Sequence, residues 1–169
     1  MLRFISFIIF AFVIGMTPAS ACGYDFVGGC SSEIHLKVNN TEGIFAIAPC
    51  QYETAFNGLQ LGTIRDLNIS GASAITWESC INNVTNVAVY YRLYPVGQSA
   101  GAAWNNFDVP ESSNTLEGPY TTRYRNANTN LNLTNGLVVG SNYVLEVYLR
   151  AEIDTIGDDF IPETFLLQN

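Results

Sequence analysis

Five acidic residues, Glu152, Asp154, Asp158, Asp159 and Glu163, fall within twelve positions around Gly157. Carboxylate oxygens at that density are the hard ligands that calcium takes. The Asp-x-Asp-x-Asp-Gly order of an EF-hand is absent, so the plain reading is a solvated acidic loop, and a calcium-binding loop is the sharper alternative. A second chemistry lies in the aromatics. Trp104, Tyr90, Tyr91, Tyr94, Tyr120 and Tyr124 offer flat faces near Asn and Asp side chains, an arrangement that binds sugars and is also common at protein interfaces. Trp104, Tyr120 and Tyr124 are the candidate ligand-binding residues, and Trp104, in a loop-rich stretch, is the first choice. Side chains alternate along a strand, so Tyr90 and Tyr91 cannot both enter one core. The plainer reading has Tyr94, Trp77 and Tyr143 packed inside and the other aromatics covering the surface.

Catalysis is the weaker class. His35 is the only histidine and stands in the alternating run Glu33-Ile34-His35-Leu36-Lys37, which puts it on one face with Glu33 and Lys37, toward solvent. No Gly-x-Ser-x-Gly nucleophile elbow is present, and a carboxylate pair for glycoside hydrolysis is defined by a separation that sequence does not give. The expectation is that the protein is not an enzyme.

The N-terminus carries an export signal. Arg3 is followed by the apolar run Phe4 to Met16 and then by Thr17, Pro18 and the small residues Ala19-Ser20-Ala21, the pattern of a signal peptide over residues 1–21. The run is short for a membrane span. Lipidation of Cys22 is the rival, but Ala19 stands where a lipoprotein signal has Leu. Residues 22–169 then form one secreted or cell-surface domain. Without Arg3, six Lys+Arg face fifteen Asp+Glu, a net charge of −9. The cations are scattered and Lys37 is the one lysine, so no basic stripe is present and the expectation is no nucleic-acid or anionic-membrane partner. No second apolar stretch reaches membrane length.

Cys22, Cys30, Cys50 and Cys80 all lie early in the exported chain, and in that compartment four cysteines read as two disulfides. Three pairings are open. Local closure favours Cys22 with Cys30 and Cys50 with Cys80. The absence of Cys-x-x-Cys and the single histidine argue against zinc.

The elements that must position these residues are strands. From Ser32 onward apolar and polar residues alternate in short runs broken by Gly, Asn and Pro, and no helical period lasts three turns. The runs predict strands over 33–38, 44–48, 59–69 with a break near Gly62, 72–77, 87–94, 104–109, 129–133, 143–153 and 160–167. Asn39 to Gly43 is a turn cluster, and Pro162 marks the last strand as an edge or its start. The stretch Pro95 to Asn128 reads as one extra strand flanked by loops.

Leu137, Gly140, Tyr143 and Val147 have the spacing of a tyrosine corner, in which Gly turns the chain and the Tyr hydroxyl bonds back to upstream backbone. With Ala74-Ile75-Thr76-Trp77 as a strand B ending in a core Trp, and Val87 to Tyr94 as strand C, the chain resembles fibronectin type III and related immunoglobulin-like domains, although Val139 stands where that family has Pro. The resemblance covers 72–167. It implies an all-β, immunoglobulin-like (fibronectin type III-like) β-sandwich over 71–169, preceded by a disulfide-stapled extension over 22–70 that adds strands or a hairpin. It also implies that the loop after strand B brings Glu78 to the end of the sandwich that carries Asp154, Asp158 and Asp159, as the metal set. Trp77-Glu78-Ser79-Cys80, Tyr91-Arg92-Leu93-Tyr94 and Leu145-Glu146-Val147-Tyr148 further resemble secreted Bacteroidota surface proteins with repeated sandwich modules. The functional expectation is an extracellular binding or structural module, in adhesion or envelope assembly, whose partner is a glycan, a protein or a second copy. A calcium-dependent carbohydrate-binding module is the alternative.

Overall fold

The computed structural model describes residues 23–26, 32–47, 56, 58–79, 82–98, 101–155 and 163–168. Ten strands follow in order: β1 (Tyr24–Phe26), β2 (Ser32–Val38), β3 (Thr41–Ala46), β4 (Leu67–Ser79), β5 (Asn82–Pro95), β6 (Asn105–Asp108), β7 (Glu111–Glu117), β8 (Tyr120–Asn132), β9 (Tyr143–Thr155) and β10 (Glu163–Gln168). They form two antiparallel sheets. The first has six strands in the order β3-β2-β4-β8-β7, with β1 also on β4, and the second has four in the order β10-β9-β5-β6. Among the described residues no helix is long and apolar enough to cross a membrane.

The sheets pack face to face because the strands alternate. Ile34 and Leu36 from β2 and Ile69, Ala72 and Ala74 from β4 meet Val87 and Val89 from β5 and Val147, Leu149 and Ala151 from β9 in one buried cluster. The result is an all-β sandwich. Phe26 from β1 and Ile34 and Leu36 from β2 belong to that same core, so the stretch before Gly71 is not an appendage. A boundary between residues 70 and 71 would cut through β4.

β1 and β2 share one edge of β4. Phe26 stands opposite Thr76 and Ser32 opposite Ala74, both antiparallel to β4, so they act as a single interrupted strand. β2 turns into β3 through Asn39-Asn40, with φ of 49° and 68° and Val38 paired to Thr41. Two positive φ values at the centre of a two-residue hairpin loop are the type I′ geometry, which asparagine tolerates better than other side-chain-bearing residues. The turn is therefore shorter than the predicted 39–43 cluster. Asn39 also anchors the next segment: its Oδ1 accepts the N–H groups of Arg65 and Asp66 at 2.7 and 3.2 Å.

Other strands differ from expectation for identifiable reasons. Residues 59–66 are not a strand, and 67–79 form one continuous strand with a register shift between Ile69 and Gly71. The stretch 95–128 holds two strands beyond β6. Residues of β7 are exposed along its whole length and β8 is polar through most of its own, so neither shows an apolar alternation. Their hairpin turns at Gly118-Pro119, where Gly118 has a φ of 62° and Pro supplies the following negative φ. β10 begins at Glu163 and lies at the edge of its sheet.

At Gly71 a Cβ would collide with the carbonyl oxygen of Ala127 on β8 and meet His35 Nδ1 at 3.2 Å. Backbone cannot yield as a flexible side chain can. Gly71→Ala is expected to lower unfolding free energy by about 2 kcal/mol through overpacking, read as a shift in the urea midpoint at unchanged slope.

Candidate binding face

The register of β5 on β9 sets Tyr90 opposite Tyr148, Arg92 opposite Glu146 and Ala88 opposite Arg150. Val89, Val147 and Leu149 point into the core, so these neighbours point outward. Tyr90 and Tyr148 stack with centroids 5.0 Å apart and planes 4° from parallel. Tyr91 takes the other side and packs on Phe107 and the core, as alternation demands.

Trp104 joins this outer face. β6 pairs with β5 with Asn105 opposite Tyr91, which delivers the preceding residue beside Arg92. Trp104 meets Tyr148 edge-to-face at 4.7 Å, and the Arg92 guanidinium lies 4.5 Å from the Trp104 ring centre and 5.3 Å from that of Tyr94. Arg92 is held in turn. Its Nε donates to Glu146 at 2.6 Å, and the Tyr94 hydroxyl donates to the other oxygen of Glu146 at 2.5 Å. Arg150 donates to the Tyr90 hydroxyl at 3.3 Å and lies 3.9 Å from Glu152. The face is thus an aromatic platform with paired charges, and Trp104 remains 36% exposed.

Tyr120 and Tyr124 are on the far side of the molecule. On β8 the inward residues are Arg125 and Ala127, and Tyr124 pairs with Ile75 on the opposite, outward face. Tyr120 meets Trp77 edge-to-face at 6.0 Å there. Trp104 on one outer surface and Tyr120 and Tyr124 on the other cannot form one site. Trp77 is also not the core tryptophan of the expectation: it alternates with Ala74 and Thr76 and faces outward, half-buried against Gly23. Tyr94 is buried, but on the outer face against Glu146. The Tyr143 hydroxyl accepts the N–H of Val138 at 2.9 Å, a bond back to upstream backbone.

Glu78 points inward and is 5% exposed. Arg123 donates to its Oε1 from Nη2 at 2.5 Å and Nε at 2.9 Å, and the Val84 N–H donates to its Oε2 at 2.6 Å. Arg123 also donates to Glu111 and Asn83, and buried Arg125 donates to the Val84 carbonyl at 2.7 Å. Both oxygens of Glu78 are therefore engaged within the protein, and a cation would have to displace an arginine. Asn83 does pair with Asp154 along the strands. Asp158 and Asp159, and all four cysteines, lie outside the described residues. Among the described residues no three His, Cys, Asp or Glu side chains gather as a metal site.

His35 Nε2 is 3.7 Å from Glu33 Oε2, which accepts from the Ser73 hydroxyl at 2.8 Å. The Ser73 hydroxyl thus donates to a carboxylate and not to the imidazole, an order different from the Ser-His pair of a histidine-activated nucleophile. A groove of about 1110 Å³ at one end of the sandwich has mixed walls, with Leu59, Leu61 and Leu93 beside Arg65, Asn142 and Glu146.

Tyr148, Glu146 and Arg92 were not among the predicted site residues. What unites them is cross-strand register, which no local pattern in the sequence carries. No family model matches the chain, and no curated protein or solved structure matches it.

Two expected outcomes follow from the ion pairs. Arg123→Met strands the buried Glu78 carboxylate and should cost about 3 kcal/mol in a urea titration, whereas Glu78→Leu with Arg123→Met should recover part of that loss. Glu146 is held below the ordinary carboxylate value of 4.5, first by the Tyr94 hydroxyl and then by Arg92, and Glu111 is held below it by Asn114 and then Arg123. A folded pKa below the unfolded one stabilises at higher pH. The melting temperature should therefore hold above pH 4.5 and fall as pH drops through the lower folded values, with a shallower fall in Glu146→Gln.

Proposed function

We propose that this chain is a secreted extracellular binding module of immunoglobulin-like, fibronectin type III-like architecture, acting in adhesion or envelope assembly rather than catalysis, with the outer face of the second sheet as its contact surface. The observation that carries this reading is the Trp104 platform. Trp104, Tyr148 and Tyr90 are arranged by two arginines and two glutamates into a face whose charges are already paired, so a partner can cover it without stranding an ion. The indole and phenol rings supply rigid contact area with little side-chain entropy to lose. The expected disulfides belong to the same extracellular reading.

The architecture proposal has its own support. In immunoglobulin-like domains one sheet runs A-B-E-D and the other G-F-C, with C′ added in some. If β4 is B and β5 is C, β2-β4-β8-β7 and β10-β9-β5-β6 follow these orders, with β3 added outside A and β1 beside B as departures from the pattern. The Tyr143 to Val138 bond falls at the E-to-F connection, where a tyrosine corner belongs.

An extracellular glycan is the ligand class favoured here, because aromatic faces beside fixed carboxylates and guanidinium groups suit the apolar faces and hydroxyls of a sugar ring. The test is retention of the full chain on a panel of immobilised extracellular polysaccharides, run with calcium and with chelator. Wild type should be retained on at least one, and Trp104→Ala should weaken retention about 10-fold or more, the loss of one well-buried aromatic anchor, at nearly unchanged melting temperature. Tyr124→Ala, on the opposite face, should behave as wild type. Equal retention of wild type and Trp104→Ala would refute the assignment of this face.

A further inference from the structure

We infer that the ligand of the Trp104 face is an uncharged polysaccharide chain lying along the sheet edge, and that Asn106 and Asp108 hold its hydroxyl groups. The inference rests on the glycan reading of this face and adds the class of glycan and two contact residues. β6 pairs with β5 with Asn106 opposite Tyr90 and Asp108 opposite Ala88, and β9 sets Tyr148 and Arg150 opposite the same two residues. Residues directly opposite in a ladder stand on one face of the sheet. Phe107 goes the other way, packed against the core, so Asn106 and Asp108 present their side chains outward. Trp104 stands on the same face by its contacts with Tyr148 and Arg92. All three are exposed. Trp104, Asn106 and Asp108 thus form a row beside the stacked tyrosines.

The length and place of this row select a chain over a single sugar. At the rise of an antiparallel strand, Trp104 to Asp108 covers about 14 Å, more than one sugar ring. β6 is the last strand in the order β10-β9-β5-β6, so among the described residues no further strand stands beside it, and a polymer can run past the row at either end. The row also carries the right hydrogen-bonding groups. Asn106 offers two N–H donors and a carbonyl acceptor, and Asp108 offers two acceptor oxygens. Sugar hydroxyls both donate and accept, so each finds a partner there while a ring lies on the indole.

Charge decides between uncharged and acidic polymers. Arg92 and Arg150 stand on this face against Glu146, Glu152 and Asp108, and Arg92 already donates to Glu146 at 2.6 Å. The chain as a whole has a formal net charge of −8. A polyanion would be repelled by that field and would have to draw Arg92 away from its carboxylate. An uncharged chain meets neither obstacle.

The experiment measures retention of the full chain by affinity electrophoresis through uncharged polysaccharides (glucan, mannan and xylan) and polyanionic ones (alginate and polygalacturonate), at low and at high salt. The expected result is retention on at least one uncharged polymer that high salt does not weaken. Soluble oligosaccharides of that polymer should abolish it, and the monosaccharide should not. Asn106→Ala and Asp108→Ala should each weaken retention about 3-fold or more, the loss of one hydrogen bond, at a melting temperature close to wild type, since both side chains are exposed on an edge strand. Retention on a polyanion that equals or exceeds that on the uncharged polymers, and fades at high salt, would overturn the inference and leave the glycan-binding face standing. Competition by the monosaccharide would overturn the extended row. Wild-type retention of both variants, with Trp104→Ala still weakened, would overturn the two contacts alone. Absence of retention on either class would refute the glycan reading and the inference with it.

Discussion

One buried charge holds the two sheets to each other. Glu78 is the penultimate residue of β4 in the first sheet, yet its carboxylate accepts the backbone N–H of Val84 at the start of β5 in the second. An ionised carboxyl in that position is tolerable only because Arg123 brings two N–H donors to it from the neighbouring strand. Arg125 closes the loop by donating to the carbonyl of the same Val84. Both polar groups of one residue's backbone are thereby satisfied from the opposite sheet. β5 has a register shift between Val84 and Asn86, and the clasp supplies partners there that a regular ladder would otherwise give. Where the chain crosses between sheets is thus set by polar chemistry, and the apolar core fills in beneath it.

The same economy shapes the two outer surfaces. On the second sheet Arg92 is fixed by Glu146, and its flat guanidinium lies against Trp104, so the charge serves as a backing for the ring. On the first sheet Trp77 is covered by Gly23 and Tyr120. One tryptophan is presented and the other is used to seat the first strand. That difference separates the candidate contact face from an outward surface already occupied by the protein's own chain.

Much of the architecture was legible in the sequence. The alternating runs at Glu33 to Val38, Val87 to Tyr94 and Tyr143 to Ile153 became β2, β5 and β9, because one face of each is buried and the period of two is written in apolar residues. β7 escaped notice since Glu-Ser-Ser-Asn-Thr-Leu-Glu has no buried face; only its pairing to β8 makes it a strand. The site was legible as composition alone. Trp104 stood out by type, as did Tyr120 and Tyr124, but residue type says nothing of which sheet receives a side chain, and strand pairing puts the two tyrosines on the other one. Glu78 looked like a metal ligand because its arginine partner is 45 positions away, a separation no motif encodes.

The interrupted first strand gives the molecule a mechanical character. Gly23 lies beside Ser79 at the end of the sandwich where β4 gives way to β5, and Gln168 pairs with Tyr148 partway along β9. A pull between these two points runs along the strands, so the pairs of β1 with β4 carry the load together, in shear, and cannot be peeled open one at a time. A strand of three residues, β1, is the one that would first resist tension.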